Sequence, residues 1–211
     1  MGRQATARTI KIRKRPTPAW TEARNEQHRL KREVILKAAA TCFYEKGYAG
    51  TSLSEIAAQL NITNNALYYY FQNKEELAFQ CFMRAHELVQ VCVDTAEKDG
   101  SSGLEKLDVF VRELLETRRS YGELPQAGLA HALSAEHQRV IREAERRTRT
   151  LVTGFIEKGI QDHSIRQCDP LTVTPLLLAG LYWGPRAYRE RSPQQADENI
   201  RDFIVSSLQS V

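Results

Sequence analysis

Ser52-Leu-Ser54-Glu55-Ile56-Ala57-Ala-Gln-Leu60-Asn61-Ile-Thr63-Asn64-Asn65-Ala-Leu67-Tyr68-Tyr69-Tyr70-Phe71-Gln-Asn73-Lys74-Glu-Glu76-Leu77 packs three helix-start signals into one short stretch. Ser52 with Glu55 forms a capping box, in which the hydroxyl serves the amide three residues on and the carboxylate reaches back. The helix it opens runs to about Gln59 or Leu60, with Leu53, Ile56, Ala57 and Leu60 inward. After a tight turn at Asn61-Ile62, Thr63 caps a second short helix through Tyr69. Asn73 then opens a much longer one through about Lys98. Two short helices joined by a tight turn have the size of a DNA-binding helix-turn-helix.

The second short helix is suited to entering a major groove with its first turn. Thr63, Asn64 and Asn65 are exposed there, and Tyr68 lies one turn on. An asparagine amide can bind adenine through two hydrogen bonds, and an aromatic ring can pack on a thymine methyl. Tyr68, Tyr69 and Tyr70 cannot all be core, because consecutive helical residues point about 100° apart. At least one hydroxyl therefore faces outward, at the height of a phosphate. Lys74 sits in the first turn of the following helix, where backbone amides already favour an anion.

The stretch from Gly47 to Leu77, with Thr51-Ser52, Ile56-Ala57, Leu67-Tyr68-Tyr-Tyr-Phe71 and Lys74-Glu-Glu-Leu77, resembles the N-terminal domain of the TetR/AcrR family of bacterial transcriptional regulators. The likeness spans roughly residues 27–80. It implies that Ser52, Tyr69, Tyr70 and Lys74 stand at phosphate-contacting positions, and Ser54, Asn64, Asn65 and Tyr68 at positions that reach bases. Two residues depart from the family pattern. Asn61 replaces the usual turn glycine, which asparagine tolerates because it visits the left-handed region. Asn65 replaces a residue that is often Gly or Pro, so an operator preference does not transfer from a relative.

Charge adds a second line. The 211 residues carry a formal net charge of +4. Residues 1–32 balance to +8, residues 33–77 to −2 and residues 78–211 to −2. An asymmetric chain of this kind points to a polyanionic partner. A reading head with a net negative charge is poorly equipped to attract phosphates non-specifically. The arm, and Lys11, Arg13, Lys14 and Arg15 above all, is expected to supply that attraction, along the phosphates or in an adjacent minor groove. A solvated tail without defined contacts is the alternative.

The rest of the chain reads as helix throughout, so the fold expected is all-α with about nine helices. Residues 1–20 form a basic arm, 21–77 a three-helix DNA-binding domain and 78–211 a C-terminal domain. A first helix is secure over 27–46, with Leu30, Val34, Ile35, Ala38, Ala39, Cys42 and Phe43 on its apolar face, and Gly47 ends it. Further helices are expected over about 102–119, 125–133, 135–162, 170–190 and 193–208. The helix from Asn73 has two apolar stripes, Leu77–Cys81–Ala85–Leu88–Cys92–Ala96 and Phe79–Phe82–His86–Val89–Val93. Such a helix is buried between partners or lines a cavity.

The family resemblance implies that the C-terminal domain holds an effector cavity and a dimer interface. Candidate effector contacts are Phe82, His86, Val89, Arg118, Tyr121, Arg147, Leu151, Phe155 and Trp183. Arg147 would meet an anionic group, as of an acyl or aromatic carboxylate, or else pair with Glu143 four residues back. His86 is either a ligand contact or a satisfied core histidine. Leu176, Leu177, Leu181, Ile200, Phe203 and Ile204 are the expected dimer face, forming a four-helix bundle across a two-fold axis.

Other classes fit poorly. No nucleophile elbow, phosphate-cradling Gly-rich loop, metal-ligand spacing or acid/base pair is evident, so neither an enzyme nor a cofactor or metal is expected. The longest apolar run, near Leu176–Trp183, is too short to span a bilayer. The four cysteines lack CxxC spacing, which suits unpaired thiols in a reducing, cytoplasmic setting. What the sequence supports is a homodimeric, ligand-responsive DNA-binding regulator, a repressor released from a palindromic operator by a small hydrophobic or amphipathic effector. The rival is a non-specific nucleic-acid-binding protein that relies on the arm.

Overall fold

The computed structural model describes residues 18–122, 127–187 and 192–210. Its elements are α1 (Pro18–Lys46), α2 (Leu53–Gln59), α3 (Asn64–Tyr68), α4 (Lys74–Asp99), α5 (Gly103–Tyr121), α6 (Ala127–Ala130), α7 (Ala135–Gln161), α8 (Pro170–Ala187) and α9 (Pro193–Leu208). The expected all-α class is what is observed, with no strand among the described residues. α1 begins earlier than the expected residue 27, at Pro18, where a missing amide costs a first turn nothing. The basic arm residues Lys11, Arg13, Lys14 and Arg15 lie outside the described residues.

Caps set the boundaries. Ser52, Thr63, Asn73, Ser102, Ser134 and Ser192 each accept a backbone amide three residues on. Gly47, at φ 71°, ends α1, and Asn61, at φ 52°, makes the turn between α2 and α3. Asparagine tolerates this left-handed position, where glycine is the usual residue.

In α1 up to Val34, Arg29 pairs with Glu26 at 2.7 Å. Leu30 and Val34, expected on the apolar face, are exposed. From Ile35 onward the chain builds two apolar clusters. One joins Ile35, Leu36, Ala39 and Phe43 of α1 to Ile56, Leu67, Phe71, Leu77, Phe82, Leu129, Leu133 and Ile141. The other joins Val89, Cys92 and Val93 of α4 to Leu107, Phe110, Leu114, Val152, Phe155, Leu181 and Ile204. Both stripes of α4 are used, and the helix passes from one cluster to the other between Phe82 and Ala85 without a break. No linker therefore separates residues 21–77 from 78–211.

Polar ties fix the C-terminal helices. Arg201 grips Asp108 with two bonds of 2.6 and 2.9 Å, joining α9 to α5. The Thr153 and Thr174 hydroxyls meet at 3.0 Å between α7 and α8. Arg118 donates to the carbonyls of Leu181 and Tyr182. Residue 185 is a proline, so the Leu181 carbonyl lacks its usual helical donor and the guanidinium replaces it. Cys42, Cys81, Cys92 and Cys168 are all free thiols.

Candidate functional site

The head is assembled around the loop that ends α1. The Thr51 hydroxyl donates to the Gly47 carbonyl at 2.8 Å. Lys74 Nζ donates to the carbonyls of Tyr48 at 2.9 Å and Thr51 at 3.0 Å, and lies 4.3 Å from the Tyr48 ring centroid. Lys46 Nζ donates to Glu55 at 3.1 Å. The Ser52 amide and the Lys46 ammonium hold the Glu55 carboxyl below its usual range. The start of α2 is thereby tied to both α1 and α4.

Leu67 and Phe71 are fully buried and anchor α3 by its inner side. Thr63, Asn64 and Asn65 are left exposed at its start, and Tyr68 and Tyr69 are 53% and 67% exposed. Tyr70 is half-buried against the head's core, its ring edge-on to Tyr69 at 5.1 Å between centroids. Asn64 Nδ2 donates to Ser54 Oγ at 3.1 Å. A cleft of about 540 Å³ brings together Ser52, Ser54, Tyr68, Asn73 and Lys74.

Several of the expected contact residues have a local duty as well. The Ser52 and Thr63 hydroxyls cap α2 and α3. The Lys74 ammonium is turned onto the α1–α2 loop, so the free phosphate-facing charge expected of it is partly spent on two carbonyls. A short exposed helix, an amide at its tip and a polar cleft beside it can meet a polyanion and read base edges.

Two family models match this chain. Bacterial regulatory proteins of the tetR family match over residues 35–81, and the tetracyclin repressor-like C-terminal domain matches over residues 100–211. The chain belongs to the tetR family of bacterial transcriptional regulators. YhgD of Bacillus subtilis, an uncharacterized HTH-type transcriptional regulator, is 27% identical over 155 residues, 72% of this chain and 80% of its own. KstR2 of Rhodococcus jostii, an HTH-type transcriptional repressor, is 26% identical over 183 residues, covering 82% of this chain and 87% of that one. Apo AibR superposes with a TM-score of 0.73 at 25% identity, over 84% of this chain and 98% of AibR. AibR in complex with isovaleryl coenzyme A and operator DNA gives 0.67 at 25% identity, over 84% and 97%.

The body of this tetR-family regulator gathers only part of the expected effector set. Val89 and Phe155 are buried in its core, with Leu151 and Tyr121 packed against it. Phe82 belongs instead to the head's core. His86 is half-buried, and burial pushes its imidazole pKa down. The Tyr121 ring lies 6.0 Å from Lys37 Nζ and 5.9 Å from the Arg84 guanidinium. The Trp183 side chain lies outside the described residues.

Arg147 is exposed on α7. Nor does it pair with Glu143, which is held by Arg146 at 2.7 Å. The dimer face is revised for a related reason. Leu177, Leu181, Ile200 and Ile204 are buried in the chain's own core, so they have little surface to offer a partner. Leu176 and Phe203, from the same list, are 69% and 75% exposed, as is Leu171 nearby in sequence.

One residue the sequence reading passed over is Glu145. Burial raises its carboxyl pKa, opposed by the charges of Arg149, Arg142 and His131. Its signal was present: it continues the spacing Ile141, Thr148, Val152, all buried on α7. An acid at that spacing is an acid on the inner face.

Among the described residues, no group of three or more His, Cys, Asp or Glu is placed to hold a metal ion. No helix there is long and apolar enough to cross a membrane.

Proposed function

We propose that this chain is a homodimeric, ligand-responsive repressor that leaves a near-palindromic operator when a small hydrophobic or amphipathic effector binds its C-terminal domain. The observation that carries this reading is the continuity of α4, which contributes Leu77 and Phe82 to the head's core and Val89 and Val93 to the body's. A ligand that tilts α4 changes how far apart two recognition helices stand. A two-fold dimer needs them about one DNA turn apart. To release DNA, the effector must bind the DNA-incompetent arrangement better than the competent one.

The AibR complex with isovaleryl coenzyme A and operator DNA supports an acyl group as the effector's apolar part. KstR2 of Rhodococcus jostii, a repressor, supports the polarity. Leu176 and Phe203 are the best-placed of the expected residues for the dimer contact, because they remain exposed in the single chain.

Selection of duplexes from a random library by the purified protein tests the reading. Enrichment of a two-fold symmetric sequence is expected, followed by its release on titration with short-chain acyl-coenzyme A thioesters. Retention of random duplex with equal affinity favours the non-specific reading, and turnover of a thioester would overturn the assignment as a regulator without catalysis.

A further inference from the structure

We propose that Ser54 is a positioning residue for Asn64, and that the pair makes the first residue of α3 an adenine reader. This rests on the DNA-binding reading above. The juxtaposition is specific: Asn64 Nδ2 donates to Ser54 Oγ at 3.1 Å, from the tip of α3 to the second residue of α2, ten residues back. Both side chains are exposed, so the bond is not a by-product of burial.

The neighbouring hydroxyls are engaged elsewhere. Thr63 Oγ1 accepts the Ala66 amide at 3.1 Å, and Ser52 Oγ accepts the Glu55 amide at 3.2 Å. Those two hydroxyls define where α3 and α2 begin. Ser54 stands within α2, past its cap, and its hydroxyl turns to Asn64 instead.

The chemistry of a carboxamide explains what the bond does. Asn64 carries one acceptor oxygen and two N–H donors. Two-point recognition of adenine uses the oxygen to accept from N6 and one N–H to donate to N7. The second N–H points away from that pair and needs its own partner. Ser54 Oγ is that partner, and it holds the amide plane before DNA arrives. Guanine offers acceptors at both O6 and N7, so the same amide oxygen would face an acceptor there. Adenine is favoured by attraction and guanine is disfavoured by repulsion.

Asn65 provides an internal contrast. It is also exposed in the first turn of α3, but no contact of its side chain comparable to the Ser54 bond is seen among the described residues. The effect of Ser54 should therefore fall on one base position in each half-site.

The test uses the full-length protein and random-library selection with Ser54→Ala, Ser54→Thr, Asn64→Ala and Ser54→Ala/Asn64→Ala. The wild type is expected to enrich adenine at one position per half-site. Ser54→Ala should reduce discrimination there by about tenfold, within the range of a two-point base contact. Discrimination at other positions and the salt dependence of binding should be unchanged. Ser54→Thr, which keeps the hydroxyl, should restore it. In the double variant Ser54→Ala should add nothing to Asn64→Ala, as required of residues acting as one unit.

Equal weakening on every duplex, with a shallower salt dependence, would make Ser54 a phosphate contact and overturn the proposal. Additive losses at two different positions would make it an independent base reader and do the same. If the wild type enriches no sequence, the sequence-specific reading falls, and the proposal with it. If it enriches one that Ser54→Ala reads identically, only the proposal falls.

Discussion

His137 and Glu75, 62 residues apart, are joined by a hydrogen bond of 2.8 Å from Nδ1 to Oε1. The same carboxylate oxygen accepts the backbone amide of Ser134 at 2.9 Å. Phe79, one turn along α4, stacks on the His137 ring with centroids 4.1 Å apart and planes 16° apart. The first turns of α4 and α7 are thus locked together. A carboxylate at the start of α7 also meets the positive end of that helix.

This lock gives a pH dependence with a definite sign. The Ser134 contacts, with His137 after them, hold the Glu75 carboxyl below its ordinary value. A group whose folded pKa is depressed contributes stability above its unfolded pKa and loses it as pH falls through the folded one. Glu75→Gln is therefore expected to be less stable than the wild type near neutrality. The difference should shrink on acidification below the ordinary glutamate range. Urea unfolding midpoints at several pH values check it, and a gap independent of pH would show that the charge on Glu75 is immaterial.

Lys74 offers a second separation of roles. Its two bonds to the Tyr48 and Thr51 carbonyls span 26 and 23 residues, so it clamps the loop that seats α2. Hydrogen bonds involving a charged group contribute about 1.5–3 kcal/mol when unshared with solvent, and less at a half-buried site. Lys74→Met is expected to lower the unfolding free energy by about 1–2 kcal/mol, before any DNA is added. A variant as stable as the wild type but weak on DNA would return Lys74 to a pure phosphate contact.

The contrast between Lys74 and the helix caps shows what a sequence displays. Ser52, Thr63, Asn73, Ser102 and Ser134 act on amides three residues away, so their roles are written in local spacing. The turn at Asn61 and the exposure of Asn64, Asn65 and Tyr68 were legible for the same reason. Lys74 reaches back across two elements, and no local pattern records that. Adjacent leucines pose a related difficulty. Leu176 and Leu177 read alike in composition, but neighbours on a helix point about 100° apart, and only the packing of α8 against α7 and α9 decides which is covered. Leu30 and Val34 continue the spacing of Ile35 to Phe43 yet are exposed, because spacing does not state where a neighbour stops. Arg147 likewise borders an apolar stripe and is exposed.

That distinction predicts opposite outcomes for two α8 residues. Leu176→Glu, alone or with Phe203→Glu, should leave the helical signal and unfolding midpoint of the isolated chain nearly intact and shift the sedimentation coefficient to that of a monomer. Leu181→Ala should instead cost about 2–5 kcal/mol through a cavity in the core. A Leu176→Glu/Phe203→Glu protein that still sediments as a dimer would place the interface elsewhere.

At Gly103 the backbone of α5 lies directly against that of α7. A Cβ at this position would lie 2.0 Å from the Gly159 nitrogen and 2.3 Å from its Cα. The obstacle is backbone, which cannot rotate away, and the amide of Gly103 is also held by the Asp162 carboxylate at 2.8 Å. Gly103→Ala must therefore push the two helices apart, at a cost of about 1–3 kcal/mol or more. Gly154→Ala, with nothing within 4 Å of the added carbon, is the control and should be neutral or slightly stabilising. Thermal unfolding of the two variants measures the difference, and equal midpoints would contradict the close approach.

The basic arm is tested by what it does to the salt dependence of DNA binding. Residues 1–17 hold Arg3, Arg8, Lys11, Arg13, Lys14 and Arg15 and no acid, whereas residues 33–77 balance to −2. Because α1 begins at Pro18, a chain starting there keeps every described helix. Each phosphate neutralised on duplex DNA contributes about 0.9 to the slope of log affinity against log salt. Removing the arm is expected to make that slope shallower by roughly this amount for each lost contact, while the enriched base sequence, set by α3, stays the same. An unchanged slope would mean that the arm touches no phosphate, and the attraction to DNA would then have to come from the head despite its net charge.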